Sequence, residues 1–359
     1  MDTQQRLDEI ASVGGLTYAD VRFGQPSACQ SYQFTRDGSE TAACRTNTQR
    51  RYLVASITKP ITAMAIMKLA AEGQLCLAEP ISTFLPSIKR AALRRITVRH
   101  LLTHTSGFPD MLPNNAELRA AHASLDEFVC QAVAAELEFR TATDCRYSSV
   151  GFLLLGAIVE VVTGRKLGAF LTEQFFEPLE MTNTWLGMSP QQADEILPGV
   201  LPSILPEWQP NAEKWGWNSA YWRTLGAPWG GMISTATDLG RYAEMVLRRG
   251  CDEHGRQLLP EAAVVAAVSD QTAAMATQRD YVGPHRGWGF GWRREWPSHG
   301  ASFGDLVSPN TVGHWGATGT MMWIDLTSNR YSVIVTTTPY EDSQAIIQRM
   351  SNVTATAQV

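Results

Sequence analysis

The stretch RYLVASITKPITAMAIMKLAAEG, residues 51–73, decides how this chain is read. Tyr52, Leu53 and Val54 form a short apolar run that reads as a strand leaving a sheet. From Ser56 the pattern turns helical: Ile61, Met64, Ala65, Lys68 and Leu69 recur at helical spacing, and Gly73 suits the left-handed position after a helix end. At the junction stands Ser56-Ile57-Thr58-Lys59. Three residues is nearly one helical turn, so the serine and lysine share a face. A hydroxyl at a helix N-terminus sits in positive potential, which favours an alkoxide. A nearby lysine can take the hydroxyl proton if burial or a neighbouring charge depresses its pKa. The plain alternative is a capping serine beside a surface lysine, and S-x-x-K alone is a weak signal.

Two further places carry chemistry. Tyr147-Ser148-Ser149 stands at the head of a strongly apolar helix that Gly164 stops, read as Ser149 to Val162. A tyrosine there can act as a base if cations lower its pKa, and Ser149 offers a hydroxyl two residues on. His314-Trp315-Gly316-Ala317 precedes a strand that starts at Gly319. Glycine lets a substrate lie against a strand edge, and a main-chain N–H there suits an oxyanion donor. Taken singly, each is also read as a packing tyrosine or a strand-entry turn.

The rest of the chain supplies the frame. Residues 1–12 read as an amphipathic helix, and residues 13–50 as irregular with weak strands. Thr97 to His104 is a short helix; Ser124 and Thr235 open helices with capping boxes. The runs Gly319 to Leu326 and Tyr331 to Thr338 flank Thr327-Ser328-Asn329-Arg330, a hairpin signal, and Glu341 to Met350 is a closing helix. The expected architecture is α+β: an antiparallel sheet flanked by helices, with a mainly helical inserted domain. The sheet domain is expected to take residues 1–60 and 240–359 and the helical domain 61–239.

Composition excludes several classes. With 44% hydrophobic and 18% charged residues over 359 positions, the chain has ample material for a core. A net charge of -5 offers no basic face for nucleic acid. No run approaches a membrane span, and residues 1–10 lack the apolar segment of a signal peptide, so a cytoplasmic location is expected if Met1 is the natural start. The six cysteines show no C-x-x-C pair and read as free thiols, with Cys29–Cys44 a candidate bridge only in an exported protein. His100 and His104 have zinc-ligand spacing but no intervening glutamate and read as structural; no metal or cofactor is called for. Gly287-Trp288-Gly289-Phe290-Gly291 lacks the strand–turn–helix context of a dinucleotide loop, and no G-x-S-x-G elbow is present.

The three motifs in this order resemble those of the serine β-lactamase and penicillin-binding-protein superfamily. The nearest likeness is the class C β-lactamase-related branch, with its family VIII carboxylesterases, D-aminopeptidases and DD-carboxypeptidases. Three segments add to it: Arg99 to Gly107 resembles the L-L-T-H-T-S-G segment of that branch, YSSVGFLLLGAIVE (147–160) its Y-x-N segment, and GGMISTATDL (230–239) its G-G-x-x-S-T-x-x-D-L segment. The resemblance covers about residues 45 to 340. It implies that the active site lies in the cleft between the two domains, that Ser56 is the acylated nucleophile, that Lys59 and Tyr147 share the proton transfers, and that the N–H groups of Ser56 and Ala317 form the oxyanion hole. Ser149, His314, Trp315 and Gly316 become substrate-binding residues. His314 stands where many relatives have lysine.

Two departures narrow the activity. Ser149 replaces the usual asparagine, and Trp315 replaces the small threonine that helps hold a substrate carboxylate. Tryptophans at 208, 215, 217, 222, 229, 288, 292 and 296 offer apolar walls, although many are expected in the core. The reading is a serine hydrolase, a carboxylesterase for small uncharged esters. A D-amino-acid peptidase or amidase, or a weak β-lactamase, is the alternative with the same chemistry. A non-catalytic binding protein with the same fold is the alternative of another class.

Overall fold

The computed structural model describes residues 2–36, 50–209, 212–277, 287–295 and 303–358. Nine strands among them form two antiparallel sheets. The larger holds β1 (Tyr18–Gln25), β2 (Ala28–Thr35), β6 (Arg293–Arg294), β7 (Thr311–Gly316), β8 (Thr320–Asp325) and β9 (Arg330–Thr336), in the order β2-β1-β9-β8-β7-β6. Strands from both chain ends thus share one sheet. The smaller holds β3 (Tyr52–Leu53), β4 (Trp185–Leu186) and β5 (Met232–Ser234), in the order β3-β5-β4.

The helices are α1 (Thr3–Val13), α2 (Thr58–Ala71), α3 (Val98–Leu102), α4 (Asn115–Ala120), α5 (Leu125–Ala134), α6 (Ser149–Thr163), α7 (Leu167–Leu171), α8 (Pro190–Ile196), α9 (Ala220–Leu225), α10 (Ala236–Leu247), α11 (Glu261–Val268) and α12 (Tyr340–Thr356). Strand alternation explains how the large sheet is covered on both faces. Met321 and Trp323 of β8 and Ile334 of β9 join Leu7 and Ala11 of α1 and Ile347 and Met350 of α12 in one core. Met322, Ile324, Tyr331, Val333 and Val335 face the other way and join Leu239, Tyr242 and Ala243 of α10. That second core runs on through α2 and α6.

Helix α6 is buried on nearly every side, which its unbroken apolar sequence requires. Ser148 caps it by accepting from the Gly151 N–H at 3.0 Å, and Gly164 ends it at φ 69°. Helix α2 is as deeply buried, and the loop at Gly291 crosses it closely. A Cβ on Gly291 would stand 2.4 Å from the Ala63 side chain.

Two stretches differ from the sequence reading. The region read as irregular with weak strands contains two eight-residue strands, β1 and β2, paired along their full length. The edge strand β2 keeps Ala28, Cys29, Gln30 and Ser31 exposed, so its alternation is muted. The closing helix runs on to Thr356 because polar side chains continue its buried face. Ser351 accepts from the Trp323 indole at 2.8 Å, and Thr354 donates to Ser332 at 3.0 Å. Hydrophobic periodicity does not register such contacts. Cys44 and Trp296 lie outside the described residues.

Candidate active site

Ser56 does not sit in α2 itself. It lies in a one-turn 3-10 segment, Ala55–Ile57, directly before it. Ala55 adopts φ 47°, a left-handed conformation that is strained for a residue with a side chain. Main-chain and hydroxyl contacts hold this turn against the sheet. Val54 N–H donates to Met232 O at 2.9 Å, Thr318 to Leu53 O at 2.6 Å, and Thr320 to Val54 O at 2.9 Å. Gly316 makes the approach possible: a Cβ there would meet Val54 O and Thr320 Oγ1 at 2.3 Å. The glycine therefore serves the seat of Ser56 rather than a cleft wall.

Lys59 is buried, and its Nζ donates to Ser56 Oγ at 3.1 Å and to Trp229 O at 2.8 Å. Burial lowers its pKa to about 7, against a smaller upward pull from Asp110. Near neutral pH about half of it is therefore unprotonated amine. Its nitrogen lies 4.6 Å from the centre of the Tyr147 ring.

The Tyr147 hydroxyl is buried and faces Ser56 without a well-formed hydrogen bond. Burial, and then the Asp110 carboxylate, push its pKa well above 10 despite weaker opposing effects from Ser56 and Arg293. The Arg293 cation does not overcome desolvation, so the phenol keeps its proton. Tyr147 is fixed by its neighbours. His104, itself at φ 59°, accepts from the Ser148 N–H through Nδ1 at 3.0 Å and packs 4.9 Å from the Tyr147 ring. His100 Nδ1 is engaged by the Thr97 N–H at 3.1 Å, so the two histidines serve the backbone separately.

His314 is buried 5.6 Å from the Tyr147 ring. Its Nδ1 lies 2.6 Å from Trp315 O, so the proton belongs on Nδ1 and Nε2 presents a lone pair. Burial, and then the Lys59 charge, drive its pKa down to about 3. It is neutral where a lysine would be a cation. Trp315 lies under the Arg293 guanidinium, 3.3 Å from the ring centre, and stacks on Tyr340 at 5.4 Å.

One cleft of about 690 Å³ gathers these groups. Ser56, Tyr147, Ser149, His314, Trp315 and Ala317 all line it, with Lys59 beneath the serine. Trp208, Trp217, Trp222, Trp229 and Trp288 line it too, whereas Trp292 is fully buried in the core. Sequence reasoning missed Asp110, Arg119 and Arg293 in its wall. Ser149 donates to Asp110 Oδ1 through both its hydroxyl, at 2.7 Å, and its N–H, at 3.0 Å. The hydroxyl expected to meet substrate is thus turned onto a carboxylate. Asp110 directly follows the resembling segment and Phe108-Pro109, but nothing in the sequence tied it to Ser149.

The Beta-lactamase family model matches residues 3–354. An N-acetylmuramyl-L-alanine amidase of Bacillus subtilis (strain 168) is 25% identical over 357 residues, covering 90% of this chain and 77% of that protein. Protein flp of Staphylococcus aureus (strain NCTC 8325 / PS 47) is 28% identical over 193 residues, covering 51% of this chain. That match spans only 38% of flp's length. Among solved structures, EstCE1, a hydrolase with promiscuous acyltransferase activity, superposes with a TM-score of 0.75 at 18% identity, covering 98% of both chains. A penicillin-binding protein homolog from Caulobacter crescentus gives 0.74 at 21% identity, also over 98% of both. At such identities these likenesses speak for the fold alone. Among the described residues no helix is long and apolar enough to cross a membrane.

Proposed function

This chain belongs to the Beta-lactamase family, and on that footing we propose that it is a serine hydrolase acting through an acyl-enzyme on Ser56. Its substrates are small esters that are uncharged around the scissile bond. The observation that carries the reading is the 3.1 Å contact between Ser56 Oγ and a buried Lys59 poised near pKa 7. Across that contact the neutral amine takes the hydroxyl proton as Oγ attacks the ester carbonyl. The N–H groups of Ser56 and Ala317 hold the developing oxyanion. The alcohol leaves with a proton from the Lys59 ammonium or the Tyr147 phenol, whose own proton is then replaced from Lys59. Water attacks the acyl-enzyme, gives its proton to Lys59, and Ser56 recovers its hydroxyl as the acid departs.

The neutral His314 and the ring of Trp315 support the substrate side of this reading. Neither offers a cation to a carboxylate beside the reacting carbonyl. The tryptophan walls suit an apolar acyl chain. Hydrolysis of p-nitrophenyl butyrate by the wild type and by Ser56→Ala tests the proposal. Loss of turnover in the variant is expected, and full retention would show that Ser56 is not the nucleophile.

Amide hydrolysis is the second reading. The free lone pair of His314 Nε2 favours it, because an amide substrate brings an N–H that an ester lacks. Turnover of D-alanine p-nitroanilide well above that of the butyrate ester would make the amide reading the better one.

A further inference from the structure

Arg119 of α4 lines the catalytic cleft and is only 3% exposed. Its guanidinium packs against two indoles, 3.9 Å from the Trp222 ring centre and 5.1 Å from that of Trp215. Contact with the rings satisfies none of its N–H groups, which still need acceptors. One edge contact exists: Nη2 donates to Trp215 O at 3.2 Å. Nε is buried without an acceptor, and no carboxylate among the described residues pairs with the group. Burial lowers its pKa to about 10.

Arg223, four residues beyond Ser219 in the neighbouring helix, shows what a purely structural buried arginine looks like here. It donates to Trp217 O, Val200 O, Leu201 O and Asn218 Oδ1 at 3.0–3.5 Å. Arg119 has the same burial and one acceptor. A buried cation without a counter-ion is costly, and a ligand anion removes that cost.

The position matters as much as the charge. Lys59 holds Trp229 O, the Trp229 ring meets the Trp222 ring at 5.9 Å, and Trp222 carries Arg119. Trp229 and Trp222 thus link the reacting centre to the guanidinium through the cleft wall. We propose that Arg119 is the anion-recognising residue of this cleft and that the substrate is an ester with a carboxylate at its far end, joined to the scissile carbonyl by an apolar chain. Such a carboxylate accepts two N–H bonds from the guanidinium edge while its chain lies along Trp222 and Trp229. This deepens the esterase reading and rests on it for the catalytic test, though not for the binding test.

The experiment has two arms. In the first, kcat/KM is measured for p-nitrophenyl hexanoate and octanoate and for the matched mono-p-nitrophenyl esters of adipic and suberic acid. The readout is the ratio of the carboxylate ester to the neutral ester of equal chain length. Arg119→Met is expected to lower that ratio at least tenfold, and Arg119→Lys, which keeps a charge without the fork, to lower it by less. A ratio within twofold of the wild type in both variants overturns the proposal, including the case in which Arg293 holds the anion. In the second arm, hexanoate and hexanamide are titrated into Ser56→Ala while tryptophan fluorescence is followed. Tighter binding of hexanoate, lost in Ser56→Ala/Arg119→Met, supports the proposal; equal binding of acid and amide overturns it. If the wild type hydrolyses no ester at all, the esterase reading fails and the fluorescence arm still decides the role of Arg119.

Discussion

The depressed pKa of Lys59 predicts the shape of the pH profile. Ser56 can lose its proton only to a neutral amine, so kcat/KM tracks the neutral fraction of Lys59 in the free enzyme. With a pKa of about 7 the amine is half neutral at pH 7 and almost wholly neutral at pH 9. The rate constant then rises only about twofold between pH 7 and 9, and falls about 50-fold between pH 7 and 5. An unshifted lysine at 10.5 would instead give a further rise of about 100-fold from pH 7 to 9. No nearby titratable ring blurs this window, because burial holds His104 well below the ordinary histidine range, His314 at about 3 and Tyr147 well above 10. Methyl butyrate followed in a pH-stat avoids a titrating leaving group. Asp110→Asn removes the carboxylate that favours the ammonium form, so the acidic limb moves to lower pH. A profile that still climbs with unit slope at pH 9 would refute the assignment of Lys59 as the poised base.

Three substitutions test neighbouring parts of the account. Lys59→Met removes the base and is expected to lower kcat for p-nitrophenyl butyrate by about 10²–10⁴; a change below tenfold speaks against its role. Tyr147→Phe removes a hydroxyl with no well-formed hydrogen bond, so the urea midpoint is expected to stay near the wild type while kcat falls by about 10² or more. Gly316→Ala forces a Cβ to within 2.3 Å of Val54 O and Thr320 Oγ1. The Ala55–Ser56 turn must shift, which is expected to cost about 1–3 kcal/mol in urea denaturation and to remove most of the esterase activity. Wild-type behaviour in both assays would show that the turn is not seated as described.

The parts of the site that lie in short continuous motifs were legible in the sequence. Ser56 and Lys59 stand three residues apart where a 3-10 turn runs into α2, and the apolar run after Ser149 fixes Tyr147 at a helix head. The hairpin of β8 and β9 was legible because two apolar, almost wholly buried runs flank the turn at Thr327-Ser328-Asn329-Arg330. What escaped notice depends on contacts between distant segments. Asp110 reaches Ser149 across 39 positions, and Arg119 gains its meaning only from Trp215 and Trp222. The base role of Tyr147 needed cations to outweigh burial, and only packing sets that balance. Gly316 read as a place for substrate, whereas the fold uses it to admit the Val54–Ala55 backbone.

The central claim is a covalent acyl group on Ser56. Intact-mass measurement after reaction with a fluorophosphonate probe, followed by peptide mapping, tests it most directly. The account predicts one adduct, located on the peptide containing Ser56, absent from Ser56→Ala and slowed in Lys59→Met. An adduct on another residue, or an unlabelled wild type that still hydrolyses p-nitrophenyl butyrate, would contradict it.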